Sequence, residues 1–291
     1  MLSASVIPNS PQSQPPQTAA KSKLSIISSA SSPGFKVDVL AYKELAGSND
    51  PSTAQSIYYA NQTGLRLKQV RISLNQGEAV AEAGTLHYMH GNLELSNPVG
   101  GVGGLGKAMM KKMLTNETAF MPRYKGTGDI FLEPSFGDFL IYQLNSETII
   151  ADKGLFYCGE GTVKTRVAEQ KNVSSALFGG EGFFQTKIEG SGICVFELPV
   201  PADEVRCVPL NNETLQVDGN FALMRSGRID FSVERSAKGI MGSIGSGEGL
   251  LQTFRGTGRV WLAPTQSVYD RMRFGGLSSL SSAARSSSTR T

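Results

Sequence analysis

The feature that most constrains the fold of this 291-residue chain is a short motif, Gly-Thr/Ser-Gly, that occurs three times with a nearly constant period. The three copies start at residues 126, 190 and 256, which are 64 and 66 residues apart. Each copy leads into an apolar run, at 130–132, 194–196 and 260–262. A period of this kind indicates one supersecondary unit used three times, with neighbouring units burying each other's apolar faces.

A second set of positions follows the same period. Ala83, Asp152 and Asp218 end similar runs and are 69 and 66 residues apart. Apolar runs joined by Gly-rich turns are typical of hairpins, because Gly supplies the positive φ of tight turns. The chain is also low in charge and rich in Gly, with 18% charged residues and 33 Gly. We therefore predict one all-β domain over 35–270, with antiparallel sheets in a pseudo-threefold arrangement.

Helical signals are sparse. Residues 105–114 follow the Gly-rich loop at 100–106 and have helical spacing of apolar positions, so they predict one short helix. The sequence at 172–178 is also compatible with a single helical turn. Apolar stretches such as 139–142 fall far short of the roughly 20 residues that a transmembrane helix needs, so no transmembrane segment is expected.

The positive charge lies in the two ends of the chain. Residues 1–34 carry +2 and residues 271–291 carry +4, so the formal total of +3 leaves −3 for residues 35–270. The N-terminal segment is rich in Pro, Ser and Gln, and the C-terminal one is rich in Ser and Arg, so both are expected to be disordered tails. A nucleic-acid surface would need its basic residues on the folded part, so DNA binding is not expected and RNA binding is disfavoured.

The cysteines and the N-terminus bear on the compartment. Cys158, Cys194 and Cys207 are odd in number and widely spaced, so we expect reduced, buried thiols and neither a disulfide framework nor a CxxC metal site. The N-terminal residues fit neither a signal peptide nor an Arg-rich transit peptide. An intracellular location is expected, with the cytoplasm favoured over the mitochondrion.

Five segments in a fixed order carry a family resemblance. They read EAGTLHYM at 82–89, GGVGGLG at 100–106, NETAF at 116–120, GEGLLQTF at 247–254 and GTGRVWL at 256–262. Over roughly residues 35–265 the chain resembles the mitochondrial-biogenesis AIM family (altered inheritance of mitochondria, member twenty-four). The resemblance implies an all-β fold like that of the tryptophan RNA-binding attenuator protein, and it supplies no catalytic residues.

The Gly-rich loop also matches nucleotide-binding patterns. Residues 101–106 fit G-x-G-x-x-G, and 101–107 fit the first seven positions of a P-loop. The hydroxyl that would hold Mg²⁺ is missing because Ala108 stands there, and the context is antiparallel β without a βαβ unit. We therefore expect a connector between sheets, no bound nucleotide and no cofactor.

Two histidines, His87 and His90, form an H-x-x-H pattern that could supply metal ligands. On a strand, positions three apart face opposite sides, so the pair would diverge. We expect ordinary histidines beside a hairpin turn at Gly91 and Asn92, with no metal site. Because the chain has no other histidine and no nucleophile elbow in a strand–turn–helix context, no catalytic residue is assigned and no enzyme is predicted.

The segment singled out for a partner is the predicted helix. It carries Met109, Met110, Lys111, Lys112 and Met113, and such a Met-rich basic segment suits a protein groove or the surface of a membrane. Core packing with a solvated lysine edge is the alternative.

Together these features predict a non-enzymatic interaction or scaffold protein that binds a protein partner or itself and is linked by its resemblance to mitochondrial or membrane organisation. An RNA-binding module is the alternative, and it rests on fold analogy alone. We also predict that Trp261, with apolar counterparts at Phe131 and Val195, is buried in a strand covered on both faces.

Overall fold

The computed structural model describes residues 23–96, 121–168, 185–235 and 250–275. Within these ranges the chain forms twelve strands and two α-helices. They are β1 (Leu24–Ser32), β2 (Phe35–Tyr42), α1 (Pro51–Thr63), β3 (Lys68–Ala81), β4 (Leu86–Ser96), β5 (Arg123–Leu132), β6 (Asp138–Asp152), β7 (Phe156–Glu160), β8 (Lys164–Ala168), β9 (Gln185–Leu198), β10 (Arg206–Asp218), β11 (Ala222–Arg235), β12 (Leu250–Leu262) and α2 (Gln266–Gly275). The strand pairings are antiparallel, which confirms the all-β prediction.

The strands form three units of similar construction. In each, a central strand carries the Gly-Thr/Ser-Gly motif and pairs on one side with a long first strand and on the other with a second strand. The first strands are β3 in unit 1, β6 in unit 2 and β10 in unit 3, and the central strands are β5, β9 and β12. The second strands are β4 in unit 1, the short pair β7 and β8 in unit 2, and β11 in unit 3. The placing of the units about a threefold axis stays a prediction.

The motif marks a bulge in the first strand of every unit. One residue of that strand has positive φ, at 51° to 57°, and its N–H donates to the hydroxyl of the motif across 3.0 Å. The pairs are Gln76 with Thr127, Ser146 with Ser191, and Asn212 with Thr257. The central Thr or Ser therefore satisfies a backbone donor that the bulge removes from the ladder.

The expectation that the motif forms turns is wrong, because all three copies lie in the middle of long strands. A Cβ added at Gly256 would lie 2.1 Å from the Arg228 carbonyl oxygen, and one at Gly258 would lie 2.0 Å from that of Ser226. The glycines are needed because neighbouring backbones approach too closely for any side chain. The hairpin turn expected at Gly91 is wrong for a related reason, since Gly91 lies inside β4 opposite Gly128.

The second set of repeated positions does mark turns. Asp152 and Asp218 are the last residues of β6 and β10, and Ala83 follows the end of β3. Glycines with positive φ complete these turns, at Gly84, Gly154 and Gly219.

Neighbouring units are joined where the first strand of one meets the second strand of the next. The end of β3 pairs with β7, with Ala81 opposite Cys158. The end of β6 pairs in the same way with β11, with Ala151 opposite Met224. Each junction covers three residue pairs.

The units pack against one another through apolar cores. In β9, Ile193 and Val195 belong to the first core, shared with unit 1, whereas Phe196 faces the second core, shared with unit 3. Trp261 is 7% exposed in the second core, and its neighbours Val260 and Leu262 belong to a third cluster. The prediction that Trp261 is buried in a strand with two apolar faces is confirmed.

Both helices were missed by the sequence analysis. The side chain of Asp50 accepts a hydrogen bond from the N–H of Thr53, Pro51 occupies the first turn, and Gly64 closes α1 with φ of 72°. None of the residues of α1 is buried, so its sequence lacks the apolar stripe by which an amphipathic helix is recognised. The helix predicted at 105–114 and the turn at 172–178 lie outside the described residues.

The boundaries of both predicted tails need correction. Leu24–Ser32 forms strand β1 along β2, so the folded part begins before residue 35. At the other end, α2 runs to Gly275 and not to 270. Neither segment has a strong apolar pattern: β1 is mostly Ser, and it is held by its pairing with β2.

Candidate functional site

Two features singled out in the sequence lie outside the described residues. They are the Gly-rich loop at 100–106 and the segment predicted to bind a partner, with Met109, Met110, Lys111, Lys112 and Met113. The expectations for both stay predictions.

The two histidines are exposed on β4. His87 Nδ1 lies 3.1 Å from Gln69 Nε2, which also donates to the Leu132 carbonyl oxygen at 2.9 Å. His90 lies opposite Asp129 in the ladder. Across the described ranges, no three His, Cys, Asp or Glu side chains are grouped closely enough to hold a metal ion.

The cysteines are free thiols, but only two of them are buried. Burial raises the pKa of Cys158 well above its usual value and that of Cys194 to about 12, so both stay neutral. Since the thiolate is the nucleophile, these thiols are unreactive. Cys207 is exposed on β10, so the expectation of burial is wrong for this residue.

The candidate site consists of two strand edges. We call them the β4 edge, residues 88–90 on the side away from β5, and the β10 edge, residues 215–217 on the side away from β12. In the part of the chain that the structure describes, no strand pairs with either edge. The equivalent edges at both unit junctions are paired, so these two stand out.

The β4 edge exposes apolar side chains. Tyr88 is 49% exposed and Met89 is 40% exposed. The Tyr88 ring stacks on Phe131, with ring centroids 4.4 Å apart and planes 13° apart. An exposed, apolar edge is a template for adding another strand, because its N–H and C=O groups lack partners.

The β10 edge combines buried and exposed positions. Val217 is 3% exposed and faces the third cluster, Leu215 is half-buried against it, and Gln216 points to solvent. Pro209 lies in the same strand. Proline lacks a donor and is confined to edge strands, bulges or the first residue of a strand, so its presence marks β10 as an edge.

A separate groove of about 940 Å³ lies beside α2. Its walls come from the β5–β6 loop, the β6–β7 turn, the chain after β9, and α2, with Phe136, Asp152, Pro199 and Tyr269 among the lining residues. It combines apolar and charged side chains, and its acidic side chains outnumber its basic ones.

Asp152 lines this groove and also belongs to a buried network of three hydrogen-bonded side chains. Gln185 Nε2 donates to Asp152 Oδ1 at 2.8 Å, and Arg225 Nη1 donates to Gln185 Oε1 at 2.8 Å. Burial raises the pKa of Asp152 to about 6 despite the hydrogen bond from Gln185. Burial likewise lowers the pKa of Arg225 to about 10, so it stays charged at neutral pH. This hydrogen-bond network links unit 2 to unit 3, so its role is structural.

The pairings define an all-β protein of antiparallel units, with two strand edges that no described strand covers. The chain belongs to the mitochondrial biogenesis AIM24 family, whose sequence model matches residues 59–265. The resemblance inferred from the ordered motifs is thereby confirmed, although the likeness to the attenuator protein stays a prediction.

Two individual proteins are similar to this chain. An uncharacterised protein of Streptococcus pyogenes serotype M6 is 29% identical over 202 residues, covering 66% of this chain and 79% of its own length. The crystal structure of a Streptococcus pyogenes protein matches with a TM-score of 0.53 and 24% identity, covering 72% of this chain and 94% of that chain. At this identity the likeness concerns the fold alone. Among the described helices, none has the length and apolar character to span a membrane.

Proposed function

We propose that this protein is a non-enzymatic interaction protein that organises partners by adding a strand of theirs to its β4 edge. The family description, mitochondrial biogenesis, supports placing this role in the organisation of mitochondria. The observation that carries the proposal is the β4 edge, which no strand of the described ranges pairs with, whereas its counterparts in units 2 and 3 are both paired.

The physical basis is strand addition. An added strand satisfies the backbone donors and acceptors of the edge, and side-chain pockets of alternate residues give specificity. Tyr88 and Met89 would supply the apolar contact, since both are substantially exposed. Tyr and Met are also enriched at protein interfaces.

The chemistry of the described side chains supports a binding role over a catalytic one. The thiols of Cys158 and Cys194 are neutral and buried, and His87 is in contact with a structural glutamine. The acidic Asp152 belongs to a chain that connects two units.

The β4 strand offers little to a nucleic acid. Its sequence, LHYMHGNLELS, has no Lys or Arg and contains one Glu. Phosphate backbones are bound mainly through cationic side chains, so this edge suits a polypeptide.

The test compares two lysine variants of the full chain. Met89→Lys places a charge on the β4 edge, where charged residues block strand addition. Leu65→Lys is the matched control, because Leu65 is also exposed and lines the groove beside α2 instead of this edge. Both are used to recover partners from a membrane extract of the organism of origin, and the recovered complex is examined by hydrogen exchange.

We expect at least a tenfold loss of partner for Met89→Lys, no loss for Leu65→Lys, and protection of the amides of β4 in the wild-type complex. Unchanged recovery with Met89→Lys, or protection confined to other strands, would contradict the proposal. Thermal melts of both variants check that folding is retained.

A further inference from the structure

We infer that the chain also binds a second copy of itself, with the β4 edge of one copy pairing antiparallel with the β10 edge of the next. The pairing places Tyr88 opposite Val217, Met89 opposite Gln216, and His90 opposite Leu215. The inference rests on the proposed function in that it uses the same β4 edge, and it names the partner as this chain itself.

The template for this contact occurs twice inside the chain. At each junction the end of one unit's first strand pairs with the start of the next unit's second strand. Unit 3 has such a first strand, β10, and unit 1 has such a second strand, β4. The same contact can therefore form once more, between the last unit of one copy and the first unit of another.

The register follows from the bulges. The paired residue of the first strand lies five positions after the residue with positive φ: Ala81 follows Gln76, and Ala151 follows Ser146. By the same count Val217 follows Asn212.

The second strand provides the other half of the register. Its paired residue lies opposite the third residue after the motif, as Cys158 lies opposite Val195 and Met224 lies opposite Trp261. In unit 1 this residue is Tyr88, opposite Phe131. All three second strands also have an irregular register just before this residue, so the equivalence extends to local geometry.

The side chains of the two edges are compatible. Cross-strand pairs of apolar residues stabilise a sheet, and Tyr88 with Val217 continues the apolar pairs Ala81 with Cys158 and Ala151 with Met224. Neither edge carries an Asp, Glu, Lys or Arg at the three positions. Natural proteins guard free edges with charge, so the lack of charge at these three positions of each edge indicates that both are covered in the assembled protein.

The two edges do not pair with each other within one copy. Among the described residues, β10 pairs with β12 alone and β4 pairs with β5 alone, so we assign the contact to two copies. A contact between two different surfaces is head-to-tail, and repeated head-to-tail contacts give a ring if the rotation closes.

The test is disulfide cross-linking in a Cys207→Ser background, since Cys207 is an exposed thiol on β10. Tyr88→Cys and Val217→Cys are purified separately as full-length chains, mixed and oxidised. Directly opposed strand residues are close enough for a disulfide, because their Cα atoms lie about 4.5–5.5 Å apart, within the range that a disulfide spans. Gln216→Cys replaces Val217→Cys in the control, since adjacent strand residues face opposite sides.

We expect a cross-linked dimer from the mixture, at least ten times less from the control mixture, and little from either variant alone. Equal cross-linking in the control, or no dimer in any mixture, would overturn the inference. A double variant that forms only an intrachain disulfide would also overturn it, because the edges would then close within one chain.

The proposed function is tested separately by partner recovery with Met89→Lys. If the mixture gives no dimer while Met89→Lys still loses its partner, the inferred self-association is wrong and the proposed strand addition is retained. If Met89→Lys loses nothing while the disulfide dimer forms, the β4 edge serves self-association alone.

Discussion

At the scale of single residues, Trp261 is the side chain whose role is most sharply defined. It lies 6.1 Å from Tyr142 in an edge-to-face contact, and the guanidinium of Arg259 is 5.2 Å from its ring. Emptying a buried aromatic site usually costs about 3–5 kcal/mol, so we expect that loss for Trp261→Ala. Chemical denaturation measures it, with Phe136→Ala as a control because Phe136 is 44% exposed. A loss below about 1 kcal/mol for Trp261→Ala would remove Trp261 from the core.

The central Thr of the repeated motif is a second residue with a measurable role, because its hydroxyl accepts a backbone hydrogen bond. Thr257 accepts a hydrogen bond from the N–H of Asn212, so Thr257→Val leaves that donor without its partner. We expect a loss of about 1 kcal/mol in the free energy of unfolding, the typical net value of such a bond. Thr257→Ser keeps the hydroxyl, as Ser191 does in unit 2, and should cost less. Equal losses for the two variants would show that the hydroxyl is unimportant.

Asp152 makes the stability of the protein depend on pH. Burial raises its pKa from 3.8 to about 6. Between these values the folded chain holds a proton that the unfolded chain has lost, so the free energy of unfolding falls as pH rises from about 4 to about 6. Between these pH values we expect the free energy of unfolding to fall by about 2 kcal/mol less in Asp152→Asn than in the wild type, since one pKa unit corresponds to 1.36 kcal/mol.

The matched control for Asp152 is Asp218→Asn, which changes an exposed residue at the equivalent strand end of unit 3. Denaturation of both variants at pH 4 and pH 7 gives the comparison. The same pH dependence in Asp152→Asn and in the wild type would assign the effect to other groups.

At the scale of elements, α1 is an insertion in a hairpin. None of its residues is buried, and the chain on either side is already joined, since the N–H of Tyr42 donates to the Leu67 carbonyl oxygen at 2.9 Å. Replacing residues 43–66 by Asn-Gly, a favoured two-residue hairpin turn, should change the free energy of unfolding by less than about 1 kcal/mol. A loss of several kcal/mol would show that α1 supports the fold.

The elements also show how far sequence reasoning reaches. The period of the Gly-Thr/Ser-Gly motif located all three central strands, because close backbone approach forces Gly at fixed places. It misplaced the turns, since a mid-strand Gly and a turn Gly look alike in one sequence. Exposed α1 and Ser-rich β1 lack the apolar periodicity on which such reasoning depends.

The candidate site illustrates the same limit. Nothing in the sequence of residues 88–90 or 215–217 distinguishes an unpaired edge from a paired one, because pairing depends on which unit comes next in the stack. The aligned repeats nevertheless contained the necessary signal: each of the three units has one first and one second strand, and the two junctions among the described residues pair only two of each.

At the scale of the whole molecule, the central strand of unit 2 binds the layers together. Val195 belongs to the first core and Phe196 to the second, so neither core can be lost without disturbing β9. Arrays of repeats can unfold piecewise, since each repeat contacts only its neighbours. Here the shared strand predicts one cooperative transition instead.

Val195→Ala tests this cooperativity, because Val195 is fully buried in the first core whereas the only tryptophan reports on the second. The variant should lose about 2 kcal/mol, and the fluorescence of Trp261 should shift to lower denaturant together with the far-ultraviolet circular dichroism. A cooperative stack transmits the loss to a probe in the next layer. If the fluorescence midpoint stayed at its wild-type value while the circular dichroism moved, the units would unfold independently, and the stack would be held only by its strand junctions.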